Sequence, residues 1–144
     1  MIAIEPARES DFEAVAALVE ASRLPTTGLR ESLSHAVVAR QNGAVVGCAA
    51  LEPYRGGVLL RSVAVAESLR GQGLGERLTR AALDLARQEH APAAFLLTTT
   101  AAQFFPRFGF KSITRAEVPD DVRQSVQFVS ACCASAVVMR LDLD

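Results

Sequence analysis

Six consecutive residues, Arg70-Gly71-Gln72-Gly73-Leu74-Gly75, have the composition of an anion cradle. Three glycines at alternate positions let a backbone curl tightly and bring several N–H groups toward one point. The stretch that follows is amphipathic at helical spacing, with Leu74, Leu78, Ala81, Ala82 and Leu85 on one face and Glu76, Arg77, Arg80, Asp84 and Arg87 on the other. A helix start adds partial positive charge and free donors, so a pyrophosphate fits there. Arg70 adds a charge-assisted donor. Two nucleotide-binding patterns fail on spacing: the third glycine position of the dinucleotide fingerprint is missing, and no Gly-Lys-Ser/Thr closes a P-loop.

Arg61 is the second informative residue. It lies inside the apolar run Val58-Leu59-Leu60-Arg61-Ser62-Val63, where an unpaired charge is costly. Period-two alternation puts it on the face of Val63 and Val65 unless a bulge intervenes. A guanidinium there either grips a carboxylate of a small molecule in bidentate fashion or pairs with an acid of the protein. Glu52, at the end of the preceding strand, is either a solvated carboxylate or a base acting through water. Ser62, Thr98, Thr99 and Thr100 are either proton relays or ordinary strand and cap hydrogen bonders. His35 and His90 sit at element ends, and His90 falls at a helix C-terminus, which favours a cation. The three cysteines read as reduced thiols: Cys132 and Cys133 are adjacent and cannot easily close an unstrained disulfide, and no ligand spacing for a metal surrounds them.

The elements that must carry these residues follow from pattern. Residues 1–4 read as a strand stopped by Pro6. Ser10-Asp11-Phe12-Glu13 reads as a capping box opening a helix to about Ser22. A helical turn is expected over 29–34. Strands 36–40 and 44–51 flank Asn42-Gly43, a strong hairpin signal, and 52–57 reads as a connection. A buried strand at 58–66, a helix from Leu74 to near His90 and a strand at 94–98 come next. A short helix at 101–108 capped by Gly109, a strand at 111–114, a helical turn at 119–123 and a last strand at 135–141 complete the order. A hairpin followed by strand–helix–strand makes an α/β (α+β) mixed sheet flanked by helices.

Composition narrows the function. The chain has 144 residues, half of them hydrophobic, and a net charge of −1, which suits one domain with a sizeable core. No basic stripe suggests nucleic acid, no apolar stretch approaches a membrane span, and no leader pattern opens the sequence, so the expected setting is cytoplasmic.

Taken with Val63-Ala64-Val65 before it, Arg70-Gly71-Gln72-Gly73-Leu74-Gly75 resembles the acetyl-CoA-binding motif of the GNAT superfamily of N-acetyltransferases, Arg/Gln-x-x-Gly-x-Gly/Ala. Arg70, Gly73 and Gly75 fill its three specified positions. The element order matches over nearly the whole chain, which implies a single GNAT-type domain over 1–144. The resemblance implies a mixed, mostly antiparallel sheet with acetyl-CoA, as co-substrate and without a metal, wedged between splayed parallel strands 58–66 and 94–98. It puts the pantetheine along Val63, Ala64 and Val65, the pyrophosphate on Arg70, Gly71, Gln72, Gly73, Leu74 and Gly75, and Thr98 and Phe105 beside the cofactor. It assigns polarisation of the thioester carbonyl to the Val63 N–H, with Glu52 as base through water and Ser62 as a relay. The family's usual proton donor to the thiolate, a Tyr five residues before Phe110, is here Phe105. Leu60 to Val65, Leu96 to Thr100 and Phe104-Phe105 look like the amino-acid N-acetyltransferase branch, with Arg61 and Thr99 toward a carboxylate-bearing amine.

The Glu52-Pro53-Tyr54 segment and the tail around Cys132 and Ser135 are similar to small N-acetyltransferases of arsenic-resistance operons. Departures are Leu59, where some relatives carry Glu, and Cys133, where relatives often have Pro. The amino-acid kinase domain that accompanies some glutamate acetyltransferases is not expected here. Competing readings are a protein or peptide N-acetyltransferase, which needs an acidic groove that the sequence does not offer, and a non-catalytic sensor of acetyl-CoA or an arsenical. Family members often form dimers, and the apolar tail offers a surface for a homodimer.

Overall fold

The computed structural model describes residues 1–125, 128 and 136–143. Its elements are β1 (Ile2–Pro6), α1 (Phe12–Ala21), α2 (Leu29–Ser32), β2 (Ala36–Gln41), β3 (Ala44–Tyr54), β4 (Gly57–Val65), α3 (Leu74–Gln88), β5 (Ala93–Thr98), β6 (Lys111–Ile113), α4 (Asp120–Arg123) and β7 (Val137–Asp142), with short 3-10 turns between several of them. The strands form one sheet in the order β1-β2-β3-β4-β5-β7-β6. Every pairing is antiparallel except β4 with β5 at the centre. This is the mixed, split-centre α/β architecture expected from the sequence.

The two sheet faces are covered by different helices. On one side Leu74, Leu78, Ala82 and Ala86 of α3 pack on Val37, Ala39, Ala49, Leu51, Val58 and Leu60. On the other, Val15 and Val19 of α1 and Leu29 of α2 cover Ala36, Val38, Cys48 and Ala50. Farther along that second face, Val118 and Val122 cover Leu59, Phe95 and Val138. Asn42 and Gly43 both take positive φ, so the β2–β3 hairpin forms where its dipeptide places it.

Several expected boundaries move for physical reasons. Pro6 is part of β1 rather than its stop, because β1 is an edge strand and needs no ladder donor on its outer side. The Ser10–Glu13 box does not form. Asp11 instead accepts from the Arg8 N–H at 2.8 Å and receives both Nη atoms of Arg40 at 2.9 and 2.8 Å. Glu5 takes the Arg40 Nε at 2.6 Å, so one guanidinium ties β1, β2 and the start of α1. The expected 52–57 connection is largely strand: β3 runs on through Tyr54, and the chain reverses in a tight turn into Gly57. Asp121 steadies that turn by accepting the Gly56 N–H at 3.0 Å. The expected 101–108 helix reduces to a 3-10 turn at Phe105–Phe108, since Pro106 has no N–H with which to continue an α-helical ladder. Ser135, Cys132 and Cys133 lie outside the described residues. Among the described residues no helix is long and apolar enough to cross a membrane.

Candidate active site

The parallel ladder between β4 and β5 is two residue pairs long, Val58 with Ala94 and Leu59 with Phe95. Beyond them the two strands share no further ladder pairs, while β5 is paired with β7 along the whole of its other edge. From Leu60 onward the β4 edge therefore offers main-chain N–H and C=O groups that β5 does not meet. A cavity of about 580 Å³ fills the split. Its walls are residues 60–65 of β4, 96–98 of β5, residues 21–24 after α1, and Thr100, Ala101, Phe104 and Phe105. The open backbone edge fits a ligand that is itself a chain of amides.

The glycine turn lies at one end of this cavity. Gly71 and Gly73 take φ of +80° and +84°, and no atom lies within 4 Å of where a Cβ would sit on either. Glycine is required there by conformation and keeps the backbone approachable. Gly75 is helical and sits 3.6 Å from Phe104 Cζ by the same construction, with ordinary contact distances. A hollow of about 370 Å³ lies over the turn, lined also by Leu69, Leu74, Phe104 and Arg107. This hollow, at the N-terminus of the 15-residue α3, suits a pyrophosphate. Arg70 lines both spaces. Its Nε donates to the Val65 carbonyl at 3.1 Å and its Nη2 to Ser22 Oγ at 3.4 Å. Gln72 is exposed at the tip of the turn.

β4 carries the bulge that the alternation rule had to reckon with. Cys48 faces Ala64 and Ala50 faces Arg61, so Ser62 and Val63 together oppose Ala49. Ser62 is non-glycine yet has φ of +59°. The extra residue reverses the strand's parity. Val58, Leu60, Val63 and Val65 pack with the α3 side, whereas Leu59 and Ala64 face the other. Arg61, paired opposite Ala50 and bonded to the α1–α2 connection, also lies on that other face. The expectation that Arg61 shares a face with Val63 and Val65 is therefore overturned.

Arg61 has a partner within the protein. Its Nη1 donates to Glu52 Oε2 at 2.8 Å, its Nε to Ser62 Oγ at 3.0 Å and its Nη2 to the Pro25 carbonyl at 3.2 Å. Glu52 is equally engaged: Oε1 accepts from the Tyr54 hydroxyl at 2.7 Å and from Ser125 Oγ. Burial, and then the bond to Glu52, push the Tyr54 phenol above its ordinary range, so it stays a donor. Glu52 does not line the central cavity but a separate hollow of about 590 Å³, shared with Glu31, Tyr54 and Gln124.

Other expected site residues scatter. Thr98 lines the cavity, and its Oγ1 accepts from the Ala101 and Thr100 N–H groups at 2.8 and 3.3 Å, a loop cap. Thr99 is exposed and is not part of the lining, whereas Thr100 is. Phe105 is buried against Phe104 and Phe110 with ring centroids 5.0 and 5.9 Å away, and it brings no hydroxyl to the cavity. Arg23 went unnoticed in the sequence. It follows α1 with φ of +60°, is exposed, and lines the cavity; among the described residues no ion pair involves it. Its signal, an arginine just past a helix end before Pro25, is too common to single out.

A sheet split at its central parallel pair, a glycine cradle at the helix after the first split strand, and an exposed backbone edge between them make up the architecture of an acetyltransferase (GNAT) domain. The chain belongs to the acetyltransferase (GNAT) domain family, whose model matches residues 32–112. It is similar to an amino-acid acetyltransferase of Ralstonia nicotianae, 33% identical over 98 residues, which are 67% of this chain and 22% of that protein. An uncharacterised N-acetyltransferase of Chlorobaculum tepidum is 28% identical over 127 residues, 83% of this chain and 81% of that one. Among solved structures, N-acetylglutamate synthase from Neisseria gonorrhoeae, complexed with coenzyme A and N-acetyl-glutamate, superposes with a TM-score of 0.87 at 23% identity over 100% of this chain and 35% of its own. A Mycobacterium tuberculosis protein in complex with CoA and a second ligand gives 0.81 at 28% identity, covering 99% of each chain. The chain thus spans only 22% and 35% of the Ralstonia and Neisseria proteins.

Proposed function

We propose that the enzyme acetylates the amine of a small carboxylate-bearing molecule, an amino acid or a close analogue. The observation that carries this is charge: among the described residues, Arg23, Arg61 and Arg70 are the charged residues lining the central cavity, and no acid lines it. Glu52 balances Arg61, and Arg70 is committed to the β4 end and the cradle. Arg23 is left to meet an acceptor carboxylate. A lysine side chain or a peptide N-terminus carries no free carboxylate beside its amine for Arg23 to meet. The names of the Ralstonia and Neisseria relatives agree with an amino-acid acceptor.

Acetyl-CoA supplies the acetyl group as an activated thioester. Every other task falls to the chain. Backbone groups of residues 63–65 hold the pantetheine arm, and the N–H groups of residues 71–75, with Arg70, hold the pyrophosphate. The Val63 N–H, turned by the bulge, is the donor that strengthens as charge develops on the thioester oxygen. Glu52 is set back behind Arg61 with three donors on its carboxylate, which suits a counter-ion better than a base. The amine proton then leaves to cavity water, and water also protonates the departing thiolate, whose thiol has a pKa near that of ordinary thiols.

The test is thiol release with acetyl-CoA and a panel of amino acids beside their decarboxylated amines. Amino acids should be the better substrates, and Arg23→Gln should raise their KM about tenfold or more, roughly 1.4 kcal/mol, while leaving simple amines and Tm unaffected. Equal rates for both classes, or an equal loss with Arg23→Gln, would refute the carboxylate reading.

A further inference from the structure

The bulge that aims Val63 is held from both ends by side chains that the mechanism above does not otherwise use. Ser62 is the extra residue, with φ of +59°, a conformation that an L-residue rarely adopts unless its surroundings fix it. A bulged residue also drops out of the ladder, so its carbonyl needs another donor in a buried place. Cys48 Sγ supplies one: it lies 3.2 Å from the Ser62 carbonyl oxygen. Cys48 itself is 1% exposed and packed beneath α1. Burial pushes its thiol up to about 12, so the S–H is present at any working pH. The other end of Ser62 is tied by Arg61 Nε on Oγ at 3.0 Å, and Arg61 is fixed by Glu52, which is fixed by Tyr54. An unbroken series of hydrogen bonds therefore runs from the β3 end to the residue that precedes Val63.

We propose that Cys48 and the Arg61–Glu52 pair are positioning residues that clamp the Ser62 bulge and so aim the Val63 N–H at the thioester oxygen. This rests on Val63 as the carbonyl-polarising donor. Cys48 never touches substrate. It acts by fixing one peptide plane, and an ångström of misplacement at a reacting centre costs orders of magnitude in rate. Arg61, expected in the sequence to hold the acceptor, instead holds the enzyme's own backbone.

The experiment compares Cys48→Ala, Cys48→Ser and Ser62→Gly with the parent protein. Cys48→Ser keeps a donor; Ser62→Gly keeps the backbone conformation and removes the Arg61 contact. Three readouts are taken: the kcat and KM split for acetyl-CoA, the Val63 amide resonance in the unliganded protein, and the carbonyl stretching frequency of bound isotope-labelled acetyl-CoA. Cys48→Ala and Ser62→Gly should lower kcat about tenfold or more with KM within about twofold. Both should move the Val63 resonance and return the carbonyl frequency toward that of free thioester. Cys48→Ser should recover most of all three. A Cys48→Ala protein that loses Tm but keeps kcat, the Val63 resonance and the carbonyl frequency would overturn the clamp. Failure of Cys48→Ser to recover function, in a protein that folds, would also overturn it. If bound acetyl-CoA shows no carbonyl shift even in the parent protein, the Val63 reading fails first, and the clamp with it.

Discussion

Glu52→Gln separates the two roles that the sequence left open for this carboxylate, base or counter-ion. The Arg61 side chain is 1% exposed and that of Glu52 11%, so the substitution leaves a buried guanidinium without its charge partner. Losing one member of a buried pair costs about 3–5 kcal/mol. The lower end applies here, because the glutamine carbonyl still accepts from Tyr54 and Ser125 while its NH2 faces the Arg61 Nη1 donor. A loss of about 3 kcal/mol in a chain of this size lowers Tm by roughly 6–12 °C. Urea unfolding of Glu52→Gln, Arg61→Met and the double variant measures the coupling. The double variant should be more stable than the two single losses predict by about 2 kcal/mol, since it buries neither charge alone. The acid limb of kcat against pH should keep its position in folded Glu52→Gln. Stability within about 1 kcal/mol of the parent, together with loss of that limb and a fall in kcat of about a hundredfold, would refute the counter-ion reading and restore Glu52 as the base.

Other consequences follow from single contacts. Gly73→Ala meets no atom but must hold φ of +84°, so it should cost about 1 kcal/mol and raise KM for acetyl-CoA, measured by titration and thermal melts. Gly47→Ala would put its Cβ 2.7 Å from Leu78 Cδ1 and 3.3 Å from the Ala64 carbonyl oxygen, forcing α3 off β3; urea midpoints should report about 1–3 kcal/mol of overpacking. The Arg40 hydrogen bond is the main cause holding Asp11 below its ordinary 3.8. A depressed folded pKa contributes stability above about pH 4 that is lost as pH falls through the folded value. Asp11→Asn should therefore destabilise the protein at pH 7 and by progressively less as pH falls below about 4, checked by urea midpoints across that range.

Much of this molecule was legible from local pattern, and the places where it was not share a cause. The hairpin at Asn42-Gly43, α3 and the cradle before it were readable because each depends on residue types within a few positions. The end of β3 was not. Pro53 and the two glycines suggested a loop, yet Pro53 pairs with Val58 in the ladder, because pairing with the rest of β4 outweighs local propensity. The face of Arg61 was not legible either. A bulge usually advertises itself by glycine, and here the positive φ falls on a serine that is hydrogen-bonded by Cys48, fourteen residues back, and by Arg61. The acceptor side suffered most, since Arg23 reaches the cavity only through the way α1 ends over β4. The proposed donor site is one contiguous turn, whereas the proposed aim of the Val63 N–H and the charge on the acceptor side of the cavity depend on contacts between distant segments. A cradle can therefore identify a donor from sequence, while the acceptor and the geometry of transfer are read only once β3, β4 and the end of α1 are seen together.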